Sequence, residues 1–190
     1  TLAETQKGSD DITRTLLKAT AQFVNSPSSC LQRLNELLAA ENEQMLFVTV
    51  FYGVLHLPTG EMNYVNAGHN PPYVIRRDGR VDEVPGTHGL AVAILDDVVY
   101  KEGRIRLDEG DTLFLFTDGV TEACDPAENL YGEARLIDRL RKIGPEAGTT
   151  RVAEEVFADV RIFENGAPQA DDITCVALRW QPAATPNPVA

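Results

Sequence analysis

The pattern of apolar and polar positions predicts helices first, then strands, then further helices and a last strand. Apolar residues recur at helical spacing in four segments, 12–23, 27–38, 136–143 and 152–163. The apolar residues of segment 46–57 occupy both alternating sets of positions, which predicts a central strand covered on both faces. This order of elements is typical of an α+β fold.

Turn residues divide the middle of the chain into shorter strands. Pro58–Glu61 predicts a hairpin leading into Met62–Asn66, and Asp78-Gly79 predicts a second hairpin. Further strands are expected over 98–107, 113–116 and 173–180. Because several strands are apolar on both faces, we expect two stacked, mainly antiparallel sheets with helices outside them.

One predicted strand ends in a carboxylate. Leu113–Phe116 is a run of four large apolar residues, and Asp118 and Gly119 follow it closely. An ionised carboxylate beside an apolar interior is costly unless a cation neutralises it. Two interpretations stay open: Asp118 and Gly119 form an ordinary turn, or Asp118 is a ligand for a cation. In either case Gly119 is expected to let the backbone turn sharply.

A second acidic pair, Asp171-Asp172, immediately precedes the predicted last strand. Two adjacent carboxylates repel each other, and no basic residue lies next to them in the sequence. They form either a solvated loop or, together with Asp118, a site where two strand ends converge on a divalent cation. Mg²⁺ and Mn²⁺ prefer such hard oxygen ligands, whereas the sequence has no Cys/His cluster of the kind that binds zinc.

Composition and charge exclude some classes of function. The 190 residues are 43% hydrophobic and 24% charged, typical of a soluble domain large enough to bury its own core. A net charge of −12 argues against nucleic acids and anionic membranes as partners. No apolar run reaches the roughly 18 residues of a membrane span. Three widely spaced cysteines favour a reducing, cytoplasmic location.

Three separated motifs occur in the order Asn66–Pro71 (NAGHNP), Phe116–Ala123 (FTDGVTEA) and Ala170–Thr174 (ADDIT). Together they resemble the metal-dependent protein serine/threonine phosphatases (PPM), and most of all the bacterial SpoIIE/RsbU-type branch. The resemblance extends over residues 12–180. We therefore expect a phosphatase domain over 12–180, a disordered lead-in over 1–11 and a disordered tail over 181–190.

The resemblance implies a β-sandwich flanked by helices, with a centre of two Mn²⁺ or Mg²⁺ ions at one end of the sheets. It makes Asp118 and Asp171 metal ligands and catalytic residues, and gives Asp172 a supporting role outside the metal's own ligands. A metal-activated water would attack the phosphorus of a phosphoserine or phosphothreonine. The expected substrate is a phosphorylated anti-sigma-factor antagonist or similar phosphoprotein, and the expected context is a longer polypeptide with an upstream sensor or receiver domain.

The sequence departs from the family in one respect. Members usually have earlier strands that end in an Asp-x-x-Gly-(Lys/His)-Gly segment, whose Asp bridges both metals, and no such segment occurs in this sequence. We therefore expect an incomplete sandwich whose exposed edges invite oligomerisation, and weak or no hydrolysis by these 190 residues alone. Three explanations stay open: a piece of a longer phosphatase, an inactive natural truncation, or a variant that recruits Asp10 or Asp11.

Two alternatives to an enzyme also stay open: an inactive phosphatase fold that binds a signalling partner, and a simple metal-binding or structural domain. His69 lies in the loop of the first motif, where ordering the loop is a better explanation than a catalytic role. Arg76, Arg77 and Arg80 could contact a phosphorylated partner, but a solvated hairpin explains them better.

Overall fold

The computed structural model describes residues 26–40, 42–43, 45–87 and 89–182. The predicted helix over 12–23, the lead-in over 1–11, both Asp10 and Asp11, and residues 183–190 of the tail lie outside this part of the chain. The described chain is α+β with two sheets, as the sequence predicts. It divides into two compact units: residues up to 55 with 62–69 and 85–105, and residues 56–61 and 70–84 with those from 106 onward.

The elements follow the predicted order. The helices are α1 (Pro27–Ala39), α2 (Gly132–Ile143) and α3 (Thr149–Glu164). The strands are β1 (Val50–His56), β2 (Glu61–Ala67), β3 (Tyr73–Ile75), β4 (Val81–Glu83), β5 (Gly103–Arg106), β6 (Thr112–Phe116) and β7 (Cys175–Arg179). One sheet has the strand order β1-β2-β5 and the other has the order β4-β3-β6-β7. Within the described residues, no helix has the length and apolar character needed to cross a bilayer.

In the first unit, α1 begins at a well-formed cap. The side chain of Ser26 accepts a hydrogen bond from the Ser29 amide, and Pro27 occupies the first turn, where a missing N–H costs nothing. The carboxylate of Glu102 accepts bonds of 3.0 and 2.7 Å from the amide and hydroxyl of Ser28. The buried face of α1, which includes Leu31 and Leu34, packs in the same apolar core as residues of β2 and of segment 92–100.

Asn35 of α1 is completely buried in this unit. Its amide group donates to the carbonyl oxygens of Leu95 (2.8 Å) and Asp96 (3.2 Å). Its side-chain oxygen accepts from the Ala93 amide (2.8 Å) and the Tyr100 hydroxyl (3.3 Å). Both donors and both acceptor positions of the amide are therefore used, as burial of a polar group requires.

The prediction of a long central strand over 46–57 is wrong. The strand β1 covers only Val50–His56 and, among the described strands, is an outer one, with β2 in the centre. Leu46 and Phe47 are 64% and 62% exposed. The strand predicted over 98–107 is likewise shorter, because only Gly103–Arg106 is paired. The two hairpins predicted around residues 58–61 and 78–79 are present as neighbouring strands.

In the second unit, β6 is a buried inner strand, as its sequence predicts. Phe114 and Phe116 belong to a core that also contains the apolar stripes of α2 and α3. Those stripes are the predicted ones; their buried members are Leu136, Leu140, Val152, Val156 and Val160. The alternation along β7 leaves Val176 and Leu178 about half exposed, at 51% and 40%.

Candidate metal-binding site

The register between β6 and β7 brings the two acidic segments to one end of their sheet. The strands are antiparallel, and their pairs run from Thr112 opposite Arg179 to Phe116 opposite Cys175. The carboxyl end of β6 therefore lies beside the amino end of β7. Asp118 follows the first of these ends and Asp171-Asp172 precedes the second.

Thr117 connects the two segments directly. Its hydroxyl donates a 2.8 Å hydrogen bond to the carbonyl oxygen of Asp172 and accepts a 2.9 Å bond from the Thr174 amide. Its own amide donates to the Thr174 carbonyl at 3.1 Å, so the pairing continues one step beyond β6. Sequence reasoning gave Thr117 no role, because a threonine at a strand end is unremarkable until its partner across the sheet is known.

Gly119 is required by close packing rather than by an unusual backbone angle. It lies in the short 3-10 turn Asp118–Val120, and its φ is not in the left-handed region. A Cβ atom at this position would lie 2.5 Å from the carbonyl oxygen of Asp172 and 3.0 Å from that of Asp171. The expectation of a sharp turn at Gly119 is thus met by a 3-10 turn, but only a residue without a side chain allows the two segments to approach so closely.

The two candidate ligands are exposed and similarly arranged. One carboxylate oxygen of Asp118 accepts a 3.0 Å bond from the Gly119 amide, and one of Asp171 accepts a 2.6 Å bond from the Asp172 amide. No described residue donates to the second oxygen of either group. Each of these aspartates therefore presents one carboxylate oxygen to solvent, while the other fixes its orientation. Asp172 is exposed as well.

A complete metal cage is absent from the described part of the chain, where no group of three or more His, Cys, Asp or Glu side chains could hold an ion. The donor set of Asp118 and Asp171 fits a hard, hydrated cation such as Mg²⁺ or Mn²⁺, which retains water in its remaining positions. Two carboxylates do not fix a pair of ions. The assignment of these aspartates as metal ligands therefore stays a prediction.

His69 belongs to a loop that Asn66 orders. The buried Asn66 side chain accepts a 2.8 Å bond from the His69 amide and donates a 2.8 Å bond to the His69 carbonyl. Gly68, between them, has a φ of +74°, in the region that favours glycine. Hydrogen bonds within the first motif therefore order its loop, which agrees with the interpretation that His69 helps to order the loop rather than to catalyse a reaction.

Two arginines of the basic hairpin form ion pairs with carboxylates of their own unit. Arg76 forms 2.8 Å ion pairs with Asp82 and with the buried Asp111, and Arg80 forms one of 2.8 Å with Asp78. The Arg77 amide also donates to Asp111, at 3.0 Å. These contacts support a structural role for the hairpin, as the sequence analysis favours.

A family model described as Stage II sporulation protein E (SpoIIE) matches residues 11–181. Phosphoserine phosphatase RsbU of Bacillus subtilis is 33% identical over 154 residues, covering 80% of this chain and 45% of that protein. Protein IcfG of Synechocystis sp. is 29% identical over 162 residues, covering 85% of this chain and 24% of that protein. The chain thus spans from a quarter to just under half of the length of these two relatives.

Solved structures of bacterial phosphatase domains share the fold, and two of them show the extent of the likeness. The manganese-presoaked phosphatase domain of the cell fate determinant SpoIIE from Bacillus subtilis aligns with a TM-score of 0.63 and 18% identity, over 93% of this chain and 76% of that one. The SiaA-PP2C domain of Pseudomonas aeruginosa aligns with a TM-score of 0.71 and 20% identity, over 90% of this chain and 68% of that one.

Proposed function

Because the chain belongs to the SpoIIE family, we propose that it forms part of a Mn²⁺- or Mg²⁺-dependent phosphatase that hydrolyses phosphoserine or phosphothreonine in a protein. The observation that carries this proposal is the contact between the segments of Asp118 and Asp171-Asp172, made through Thr117 and Gly119. That contact joins two of the three family motifs, the one that contains Asp118 and the one that contains Asp171-Asp172.

Asp118 and Asp171 are the residues that would hold a cation, and Asp172 would support them. When bound, such an ion lowers the pKa of a water molecule and offsets negative charge on the phosphoryl group. The protein's own contribution is positional: the hydrogen bonds of Thr117 and the close packing of the two segments at Gly119 hold the two carboxylates at one end of the sheet. Because both carboxylates are exposed, a phosphorylated side chain on the surface of another protein can reach them.

The substrate we propose is a phosphorylated anti-sigma-factor antagonist or a similar phosphoprotein. Two considerations support it: the resemblance to the SpoIIE/RsbU-type branch, and the name of the relative RsbU as a phosphoserine phosphatase. The lengths of the relatives also favour a longer polypeptide, in which a sensor or receiver domain regulates this region.

The test is Mn²⁺-dependent phosphate release from a phosphoserine protein, measured with this chain and with a version extended at its N-terminus. We expect the extended form to be active and this chain to be weak. In the extended form, Asp118→Asn should lower kcat/KM by more than about 100-fold, since loss of an outer partner of a metal ligand already costs about 10- to 100-fold. The matched control is Asp138→Asn on α2, where Asp138 forms an exposed pair with Lys142.

A second candidate function is an inactive phosphatase fold that binds a signalling partner. Within the described residues, no three His, Cys, Asp or Glu side chains are grouped so that they could hold an ion, which favours this candidate. Under this alternative, the extended form would release no phosphate with Mn²⁺ or Mg²⁺, and Asp118→Asn would behave like Asp138→Asn. Activity in the extended form that depends on Asp118 would exclude it.

A further inference from the structure

A chain of side-chain contacts connects the end of α3 to the backbone of Asp171. The Gln169 side chain donates a 2.7 Å hydrogen bond from Nε2 to the Asp171 carbonyl oxygen. Its Oε1 accepts a 2.7 Å bond from Nη2 of Arg161. Gln169 therefore uses both ends of its amide to join α3 to the acidic segment.

Arg161 is itself anchored at the end of α3. Its Nη1 forms a 3.0 Å ion pair with Glu164, and its guanidinium lies 5.1 Å from the centre of the Phe157 ring. Glu164 is only 2% exposed, and a buried carboxylate needs a cationic partner to be stable. The second oxygen of Glu164 is buried with no hydrogen-bond partner in the described part of the chain. The ion pair with the buried carboxylate of Glu164 therefore fixes the position of Arg161.

The backbone after α3 is also well defined. Asn165 adopts a left-handed conformation (φ 45°, ψ 40°) that asparagine tolerates, and Gly166 follows with a φ of +87°. The Ala167 amide then donates to the Glu164 carbonyl at 2.8 Å. The loop that leads to Asp171 therefore leaves the helix along a defined path.

The peptide unit between Asp171 and Asp172 is held from both sides. Gln169 bonds its carbonyl oxygen, and the Asp171 carboxylate accepts from its N–H at 2.6 Å. Rotation of this peptide unit strains both bonds, and the second of them ends on the Asp171 carboxylate. The orientation of the candidate ligand is thus coupled to Gln169 and, through it, to Arg161.

We propose that Arg161 and Gln169 are positioning residues that hold Asp171 in the orientation needed to bind the metal ion, an inference that rests on the function proposed above. Neither residue would be a ligand of the ion itself. They act as the outer partners of a metal ligand, which set its direction and thereby the affinity of the site.

The test is direct Mn²⁺ binding to this chain, measured by electron paramagnetic resonance of the free ion. Gln169→Ala should raise the dissociation constant about 10-fold relative to wild type, the scale seen when outer partners are lost. The matched control is Gln181→Ala, an exposed glutamine beyond β7. The metal-free Gln169→Ala protein should unfold at a slightly lower temperature than this control, because two exposed hydrogen bonds are lost, but it should stay folded at the temperature of the Mn²⁺ titration.

Arg161→Lys separates positioning from stability. A lysine still neutralises Glu164, but its single ammonium cannot reproduce the fork that bonds Glu164 and Gln169 together. We expect weaker Mn²⁺ binding with little change in thermal midpoint. In an active extended form, both variants should raise the Mn²⁺ concentration for half-maximal rate and leave the rate at saturating Mn²⁺ close to that of wild type. A lower saturating rate with unchanged Mn²⁺ dependence would overturn the proposal.

Amide hydrogen exchange of residues 170–172 in the metal-free chain distinguishes this inference from the proposed function. Faster exchange in Gln169→Ala, but not in Gln181→Ala, supports the restraint on Asp171. This conclusion holds even if the wild-type chain binds no Mn²⁺, because the absence of Mn²⁺ binding counts only against the metal-dependent function. Equal exchange and equal Mn²⁺ affinity in the two variants would overturn the positioning role while leaving the phosphatase proposal intact.

Discussion

The hydroxyl of Thr117 donates a 2.8 Å hydrogen bond to the carbonyl oxygen of Asp172, 55 positions later in the sequence. It also accepts from the Thr174 amide at 2.9 Å. One small side chain therefore satisfies two backbone groups on the neighbouring segment. The arrangement of the acidic end of the sheet depends on this residue as well as on the aspartates themselves.

Replacing Thr117 by valine should lower the free energy of unfolding by about 1–3 kcal/mol, because two hydrogen bonds of about 0.5–1.5 kcal/mol each are lost. Thr117→Ser keeps the hydroxyl and is the control, with a much smaller loss expected. Urea denaturation measures both variants. Equal stabilities of the valine and serine variants would show that the two hydrogen bonds contribute nothing.

Gly119→Ala should destabilise the chain by about 1–3 kcal/mol, since the added Cβ would lie 2.5 Å from the Asp172 carbonyl and force the segments apart. It should also weaken Mn²⁺ binding. Gly148→Ala is the comparison, because a Cβ there meets no atom within 4 Å. Denaturant unfolding and Mn²⁺ titration of the two alanine variants test this. If the Gly119 variant kept wild-type stability, the close approach would not be needed.

Arg76→Ala should cost about 3–5 kcal/mol, because the side chain of Asp111 is only 2% exposed and would be left as a buried charge without its ion pair. Arg80→Ala removes a guanidinium that is 67% exposed, and we expect a change within about 1 kcal/mol. Both values come from denaturant titration. Similar small losses for the two variants would contradict the structural role assigned to Arg76.

Burial raises the pKa of the Cys175 thiol from 9.0 to about 11. The folded state therefore favours the protonated thiol: its contribution to stability is complete below pH 9 and is lost as the pH rises through 11. Alkylation of Cys175 at pH 8 should be slow in the folded chain and fast in urea, because the thiolate is the reactive form. Peptide mass spectrometry at pH 8 and pH 10 measures this. Equal rates in folded and unfolded protein at pH 8 would contradict it.

Helices α2 and α3 and strand β6 could be predicted from the sequence because each carries a long apolar pattern. A stripe such as Val152, Val156 and Val160 has one interpretation, and the structure buries all three. Segment 46–57 could not be predicted in the same way. Its apolar residues suggest burial on both faces, yet Leu46 and Phe47 are exposed, and only the pairing of whole strands decides which apolar residues are covered.

The candidate site shows the same limit. Asp118, Asp171 and Asp172 could be proposed from the sequence because they stand in motifs that resemble those of the phosphatase family; the structure brings their segments together, and their role as metal ligands stays a prediction. Thr117 and Gln169 could not, since each acts through a hydrogen bond to the main chain of another residue. Such contacts leave no mark on local composition, and they become visible only when the path of the backbone is known.

The buried amide of Asn35 has a mechanical consequence. It ties the interior of α1 to three main-chain groups of segment 93–96, a stretch without regular secondary structure. No other natural side chain of that size offers two donors and two acceptors in the same plane. Residues 93–96 therefore take their main-chain conformation from α1, and loss of the Asn35 amide would release all three of these groups from the helix at once.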